Sequence, residues 1–454
     1  MKRERAIVLE ILLERTEKRF FKTIYLQKMA DYPDLNRAQR AFIKRLAQGV
    51  LEREYTLDKL LRYYSKLRLK KLSPVVHEIL RLSLYQLMYM DKIPAYSVVH
   101  EAVELAKERR EFRAVPYINA LLRRVADSQA AAAEYLESLR RQGDWQSFYS
   151  FPQKIIALLQ ESYSRSTVEG ILSDSLLEKP LSLRLIAPDA AGQAEVDAFL
   201  QHRVDRIRGE GVLFPQVRKY SGSIEEEAVF QKGYVQVQDE ASMLVGYLAA
   251  AERPRLVYDL CAAPGGKSVH LAALLPEAKL IASDLSESKA EKIRENIRRL
   301  GLKNIEVTVQ DAAQADVRKK EAADCVLADV PCSGLGVIAG KPDVKYRLTR
   351  QTVAELSKIQ EQILEQAARY VAPGGTLLYS TCTLLPAENQ DRIGAFLKKH
   401  PEFTLCDISL DPVFQTAGGQ RLSAAGKLIW QQGMLQVLPG ELQGFFIAKL
   451  QRMP

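Results

Sequence analysis

Over the first 140 residues, apolar positions recur at helical spacing. Ile7, Ile11 and Leu12 share one face, as do Phe42, Leu46 and Val50. Asn36 reads as the N-cap of a helix over 37–50, with Gly49 near its end. A further helix over 57–67 runs into the basic stretch Lys66, Arg68, Lys70, Lys71. Pro74 opens another, which carries Ile79, Leu80, Leu84, Leu87 and Met88. Helices over 98–109 and 117–125 follow. Short helices with brief links predict an all-α bundle.

The pattern changes beyond it. Residues 126–150, Ala- and Gln-rich and then polar around Gly143, predict a trailing helix and a linker. Helices over 155–163, 167–172 and 194–200, with strands over 181–186 and 212–217, predict a small α/β subdomain. A strand over 234–237 leads into a helix reaching Ala250. From residue 255 strands and helices alternate. Strands are expected at 256–260, 280–283, 305–309, 324–329 and 376–380, and helices at 286–300, 352–371 and 389–399. The long helix should stop at Pro373-Gly374-Gly375. Strands over 403–408 and 445–450 close the chain. Repeated βα units predict a parallel, doubly wound sheet. The expected domains are a helical bundle over 1–140, a linker and small α/β subdomain over 141–235, and a Rossmann-like domain over 236–454.

Open α/β sheets bind ligands beyond the carboxyl ends of their strands. Those ends carry the chemistry here. Asp259-Leu260-Cys261-Ala262-Ala263-Pro264-Gly265-Gly266-Lys267-Ser268 links a strand to a helix. Backbone N–H groups and the positive end of a helix dipole point at such a turn, and small residues let a ligand lie against it. Alone, it would suit a phosphate or be merely structural. Asp284 ends the next strand about 20 residues on, where a carboxylate can take both hydroxyls of a ribose. The turn is not GxGxxG, and it lacks the first glycine of GxxxxGK. A dinucleotide therefore fits less well than S-adenosylmethionine. Its ribose would go to Asp284 and its adenine near Asp311. Its amino-acid tail would lie over Cys261, Ala262, Ala263, Pro264, Gly265 and Gly266, near Lys267 and Asp259. Asp311 by itself reads equally well as a turn aspartate.

Cys332 and Cys382 stand just past two neighbouring strand ends, in Asp329-Val330-Pro331-Cys332-Ser333-Gly334 and Ser380-Thr381-Cys382-Thr383. Most buried cysteines are packing. A cleft thiol whose thiolate is stabilised can instead attack carbon. Methylation at carbon 5 of a pyrimidine needs such an attack, because that carbon becomes nucleophilic only after a thiolate adds at carbon 6. Asp329 is placed to hydrogen-bond the base edge. The motif chemistry alone leaves the roles of the two thiols exchangeable.

Composition narrows the partners. Of 454 residues, 47% are apolar and 27% charged, which fits a globular chain with real cores. No apolar run approaches the roughly 20 residues of a membrane span. Glu10 and Glu14 interrupt any signal-peptide pattern, so a cytoplasmic protein is expected. The five cysteines lack zinc-knuckle spacing and are odd in number, so neither a metal site nor a disulfide framework is expected. Cys325 and Cys406 read as strand packing. Residues 1–150 carry 29 Lys and Arg against 19 Asp and Glu, whereas the remainder carries 36 against 37. The whole positive excess lies in the helical third, the footprint of a nucleic-acid-binding module.

Two resemblances converge with this reading. Arg37-Ala38-Gln39-Arg40-Ala41-Phe42, Ile79-Leu80-Arg81-Leu82-Ser83-Leu84-Tyr85-Gln86-Leu87, Ile93-Pro94, Glu101-Ala102-Val103 and Asn119-Ala120-Leu121-Leu122-Arg123 resemble the NusB family of helical RNA-binding domains. The Asp259–Ser268 turn and the two cysteine motifs are similar to those of the Nol1/Nop2/Sun family of RNA cytosine-5 methyltransferases. So are Gln238-Asp239-Glu240-Ala241-Ser242, Pro342-Asp343-Val344-Lys345-Tyr346, Glu388-Asn389 and Gly444-Phe445-Phe446. That resemblance covers about residues 150–454. It implies Cys382 as nucleophile and Cys332 as the residue that assists adduct breakdown. Ile186 departs from it, standing where the family often has Asn. Together the two resemblances imply a class I methyltransferase domain and a monomeric enzyme that methylates a cytosine of 16S ribosomal RNA. The competing readings are an RNA chaperone with an idle α/β body and a methyltransferase of DNA or protein.

Overall fold

The computed structural model describes every residue except Met1, 16–18 and Pro188, and the side chain of Lys2. The chain forms two compact units, one of Met1–Leu176 with Lys341–Arg347, the other of Leu177–Gly340 with Leu348–Pro454.

The first unit is helical. The helix Pro74–Tyr89 is its axis, with every residue from Ile79 to Leu87 buried. A helix apolar on all sides belongs inside a bundle. Around it pack the helices Lys2–Leu13, Arg37–Glu52, Glu54–Tyr64, Ala95–Glu108 and Val115–Asp127. Asn36 caps its helix as expected, and Gln39 completes a capping box. Gly49 does not end that helix, which runs on to Glu52. A side chain there would collide with the Tyr85 ring, so glycine lets the two helices touch. Arg81 makes a bidentate pair with Asp58, with both N···O distances at 2.8 Å. Burial would raise the Asp58 carboxyl, but its bonds to His77 and Arg81 hold it at about 2.

The second unit holds two sheets. The smaller orders its strands β2-β3-β1-β4, from β1 (Leu181–Leu185), β2 (Ile207–Glu210), β3 (Val217–Tyr220) and β4 (Val235–Val237). All its pairings are antiparallel. The strand expected over 212–217 is displaced. Residues 212–216 form a turn, because Leu213 and Phe214 bury into the larger core while Glu240 takes their N–H groups.

The larger sheet contains β5 (Leu256–Asp259), β6 (Lys279–Asp284), β7 (Ile305–Val309), β8 (Ala323–Asp329) and β9 (Val371–Thr381) in parallel, in the order β7-β6-β5-β8-β9. It is not parallel throughout. β10 (Phe403–Leu405), β11 (Leu428–Gln431), β12 (Met434–Val437) and β13 (Phe445–Arg452) extend it, with β13 antiparallel to β9. The cause is local. β11 and β12 are joined by Gln432-Gly433, both with positive φ, the hairpin turn that needs no crossover helix. Pro373-Gly374-Gly375 falls within a register shift between β8 and β9, so β9 starts at Val371, ahead of the expected break. The chain reverses order between β5 and β8, which gathers the ends of β5, β8 and β9 at the middle of the sheet.

Candidate active site

β5 ends at Asp259, and the turn to the helix Gly266–Leu274 follows. Gly265 has φ of 101°, a conformation costly for any side chain, and a Cβ there would press on Ile293. A Cβ on Gly266 would meet open space. The turn is therefore rigid beneath and open above. Asp284, at the end of β6, holds it: Ala263 N–H donates to its Oδ2 at 2.9 Å. Its Oδ1 accepts from Leu285 N–H at 2.7 Å and Lys289 Nζ at 2.8 Å. Cys261 lies within the turn, and burial beside Asp259 and Asp284 pushes its thiol well up.

Asp259 is 2% exposed. Ser268 Oγ donates to its Oδ2 at 2.6 Å, but its Oδ1 is buried without a hydrogen-bond partner. Burial raises this carboxyl to about 6, with Asp329 adding to the rise. A buried acceptor left open beside a small-residue cradle fits the ammonium of an amino-acid tail. By this test the residues present suit S-adenosylmethionine.

Lys267 spans from the turn to β8. Its Nζ donates to Asp329 Oδ2 at 2.6 Å, and Ser380 Oγ of β9 donates to Asp329 Oδ1 at 2.7 Å. Burial alone would lower the Lys267 ammonium, but the charge and hydrogen bond of Asp329 overcome it and raise it. Asp259 and Cys382 add smaller contributions. Lys267 therefore stays cationic where a thiolate at Cys382 feels its charge.

The two strand-end cysteines meet. Cys332 Sγ and Cys382 Sγ are 3.3 Å apart. The hydrogen bond with Cys382, and then burial, push the Cys332 thiol well above its ordinary value. Beneath the pair lies a residue to which the sequence reading gave no role. Glu388, fully buried, accepts from Ser333 N–H at 2.9 Å, Ser333 Oγ at 2.5 Å, Thr383 Oγ1 at 3.2 Å and Gln360 Nε2 at 3.0 Å. Ser333 and Thr383 each follow one of the cysteines, so one carboxylate clamps both loops. Asn389 accepts from Thr381 Oγ1 at 2.6 Å and donates to Gln436 Oε1 at 2.7 Å. Glycine at 336 and 444 lets those loops touch, and Gly336 N–H reaches Cys382 O at 2.9 Å. In the sequence these positions are marked only by a hydroxyl residue after each cysteine and a Glu-Asn pair close behind the second.

Asp311 follows the edge strand β7. Its carboxylate accepts from Ala313 N–H at 3.0 Å and Gln314 Nε2 at 3.2 Å within its own turn. Cys325 is core and Cys406 is partly exposed just past β10. Among the described residues, no three His, Cys, Asp or Glu side chains group to hold a metal. Among the described residues, no helix is long and apolar enough to cross a membrane.

Residues 246–451 match the family model of 16S rRNA methyltransferase RsmB/F, and residues 2–127 that of the NusB family. Over 452 residues the chain is 33% identical to the probable ribosomal RNA small subunit methyltransferase B of Bacillus subtilis (strain 168), spanning 99% of this chain and 98% of that one. The chain belongs to the RsmB/F family of 16S rRNA methyltransferases. The ribosomal RNA small subunit methyltransferase B of Shewanella oneidensis is 31% identical over 417 residues, spanning 90% of each. Among solved structures, PH0851 superposes with a TM-score of 0.73 at 25% identity, covering 99% of this chain and 98% of that one. NSun6 from Pyrococcus horikoshii, solved with SFG, shares the fold over 67% of this chain and 99% of its own, with a TM-score of 0.56 at 19% identity. As an RsmB/F protein the chain is a methyltransferase of an S-adenosylmethionine-dependent family, with a NusB domain ahead of a Rossmann-like catalytic domain.

Proposed function

We propose that this RsmB/F enzyme methylates carbon 5 of a cytosine in 16S ribosomal RNA, with Cys382 as the covalent nucleophile. The observation that carries the reading is the Cys332–Cys382 contact of 3.3 Å, with Lys267 and Asp329 beside it. S-adenosylmethionine, when bound, supplies an electrophilic methyl group. The residues suited to hold it are the 261–267 turn, Asp259 at its ammonium and Asp284 at its ribose. Asp311 is proposed near the adenine.

Lys267 favours the thiolate at Cys382, while Cys332 keeps its proton and donates toward that sulfur. Cys382 adds to carbon 6, and the ring electrons move toward carbon 5 and the ring nitrogen. Asp329, held in place by Lys267 and Ser380, accepts from the exocyclic amine and holds the base edge. Once the Cys382 sulfur is bonded to carbon, its negative charge is gone. The main cause of the raised Cys332 pKa goes with it. Once carbon 5 carries the methyl group, Cys332, its own proton released to solvent, takes up the carbon-5 proton, and the electrons of that C–H bond reform the 5,6 double bond as the Cys382 thiolate leaves. The charge of Lys267, which acts on Cys382, supports Cys382 as nucleophile over the exchanged assignment.

The test is incubation with labelled S-adenosylmethionine and unmodified small-subunit RNA, followed by nucleoside analysis. Labelled 5-methylcytosine is expected. A label found only in another nucleoside would refute the carbon-5 assignment.

A further inference from the structure

The helix Ala95–Glu108 ends in a six-residue cap, with Glu111 N–H on Ala106 O at 2.8 Å and Arg110 N–H on Lys107 O at 3.0 Å. The residue this cap places in the left-handed region is usually glycine. Here it is Arg110, at φ of 61°. A side chain there carries a strain that glycine would avoid. Arginine at this point needs a reason outside the cap.

Its surroundings supply one. Phe112 follows, 63% exposed, and then Arg113, also exposed. The acid between them is turned away: Glu111 Oε1 accepts from Ser73 Oγ at 2.6 Å. That bond ties the loop to the turn that carries Lys70 and Lys71. A second, Ser65 Oγ to Tyr117 OH at 2.7 Å, ties the start of the Lys66–Lys71 run to the next helix. Among the described residues, Lys70, Lys71, Arg110 and Arg113 have no carboxylate partner, whereas the neighbouring Arg109 pairs with Glu10. One exposed phenyl ring thus stands among four unpaired cations on a fixed loop.

We propose that Phe112, flanked by Arg110 and Arg113 and joined to Lys70 and Lys71, is a stacking platform for an unpaired base of the RNA substrate. The inference rests on the reading of that substrate as ribosomal RNA. The cations neutralise backbone phosphates on either side of the stacked base. A flat aromatic face takes any base, so the platform grips a single strand without reading its sequence. A duplex offers no free base and would gain only the charge.

Equilibrium binding of the full-length protein tests this, using a short unstructured oligoribonucleotide, a duplex of the same sequence and unmodified 16S rRNA. Phe112→Ala should weaken single-strand binding by about tenfold or more and duplex binding far less. Phe112→Trp should restore it, with indole fluorescence quenched on binding. Arg110→Gly should weaken binding and lower the salt slope by about one, yet raise the melting temperature, because the strain is gone. That opposition separates an RNA contact from a structural role. Phe112→Ala binding single strands like wild type would overturn the platform, as would Arg110→Gly gaining stability without losing affinity. Wild type binding neither single strand nor 16S rRNA would overturn the RNA reading itself, and the platform with it.

Discussion

Cys332 Sγ lies 3.3 Å from Cys382 Sγ, although 50 residues of chain separate them. The two sulfurs share one proton's worth of hydrogen bonding, so they cannot both be thiolates cheaply. The pair is therefore divided in role before substrate arrives. Cys382→Ala should form no protein–RNA adduct and should lose activity by roughly a thousandfold or more. Cys332→Ala should still form the adduct but fail to resolve it. A band that survives denaturation, labelled through the RNA, would be seen for Cys332→Ala alone. The reverse pattern would exchange the roles.

Glu388 should matter nearly as much without touching substrate. Glu388→Ala leaves Ser333 N–H and the Gln360 amide without their acceptor and frees the loops under both cysteines. Each buried group left without its partner costs about 1–3 kcal/mol of stability. Glu388→Gln keeps the shape but turns one acceptor into a donor facing Ser333 or Thr383. It should fold, bind the methyl donor normally and lose roughly tenfold to a hundredfold in turnover, as expected when reacting atoms shift by about 1 Å. Denaturant unfolding and donor titration together check this. Unaltered turnover in Glu388→Gln would remove the positioning role.

The sequence made the parallel strands legible as short runs rich in apolar residues, and β5, β6 and β8 each end in an aspartate. Asp259, Asp284, Asp329 and Cys382 all fall where the period breaks. Glu388 was not legible as a clamp. A buried carboxylate is recognisable only once its four donors are assembled, and they come from three separate segments. The hairpin Leu428–Val437 was missed for a local reason: Gln432 occupies a positive-φ position that usually signals itself by Asn or Gly. The 212–217 stretch misled because burial against the larger core and burial in a strand leave the same apolar pattern.

Asp259 gives the donor site a pH dependence of definite sign. Its folded-state pKa is raised from 3.8 to about 6, chiefly by burial. The folded protein thus holds a proton between those values that the unfolded chain has released. Stability therefore falls as pH rises through this window, by about 3 kcal/mol for a full shift. Asp259→Asn should remove that loss and melt higher than wild type at pH 7. It should also weaken donor binding, because the ammonium loses its charge partner. In wild type, donor affinity should drop about tenfold per pH unit below 6, as the carboxyl must first be deprotonated. Ser268, Asp329 and Lys267 surround Asp259 and remain in the variant, so the difference between the two profiles isolates it. Calorimetric titration from pH 5 to pH 8 measures it. A flat wild-type profile would count against Asp259 as the ammonium partner.

Lys345 sets a second pH response, in the helical unit. It is 1% exposed, and its Nζ donates to Glu52 O at 2.8 Å. Burial lowers its ammonium from 10.5 to about 7. The charge of Glu52 favours the ammonium and tempers the shift, and the Phe151 and Tyr346 rings, each with a centroid 5.4 Å from Nζ, face the same group. Between pH 7 and 10.5 the unfolded chain binds the proton more readily than the folded one. Stability contributed by this group therefore rises with pH across that window and is lowest below it. Lys345→Met removes the buried charge while filling most of its volume. It should be more stable than wild type at pH 7 by about 1–3 kcal/mol, less the cost of one unpaired carbonyl. The advantage should shrink steadily toward pH 10. Denaturant midpoints of both proteins at pH 6, 7, 8, 9 and 10 check this, since groups that do not interact with Lys345 cancel in the difference. A constant gap across the series would mean that Lys345 does not titrate in the folded protein, and that the rings and the carbonyl keep it charged throughout.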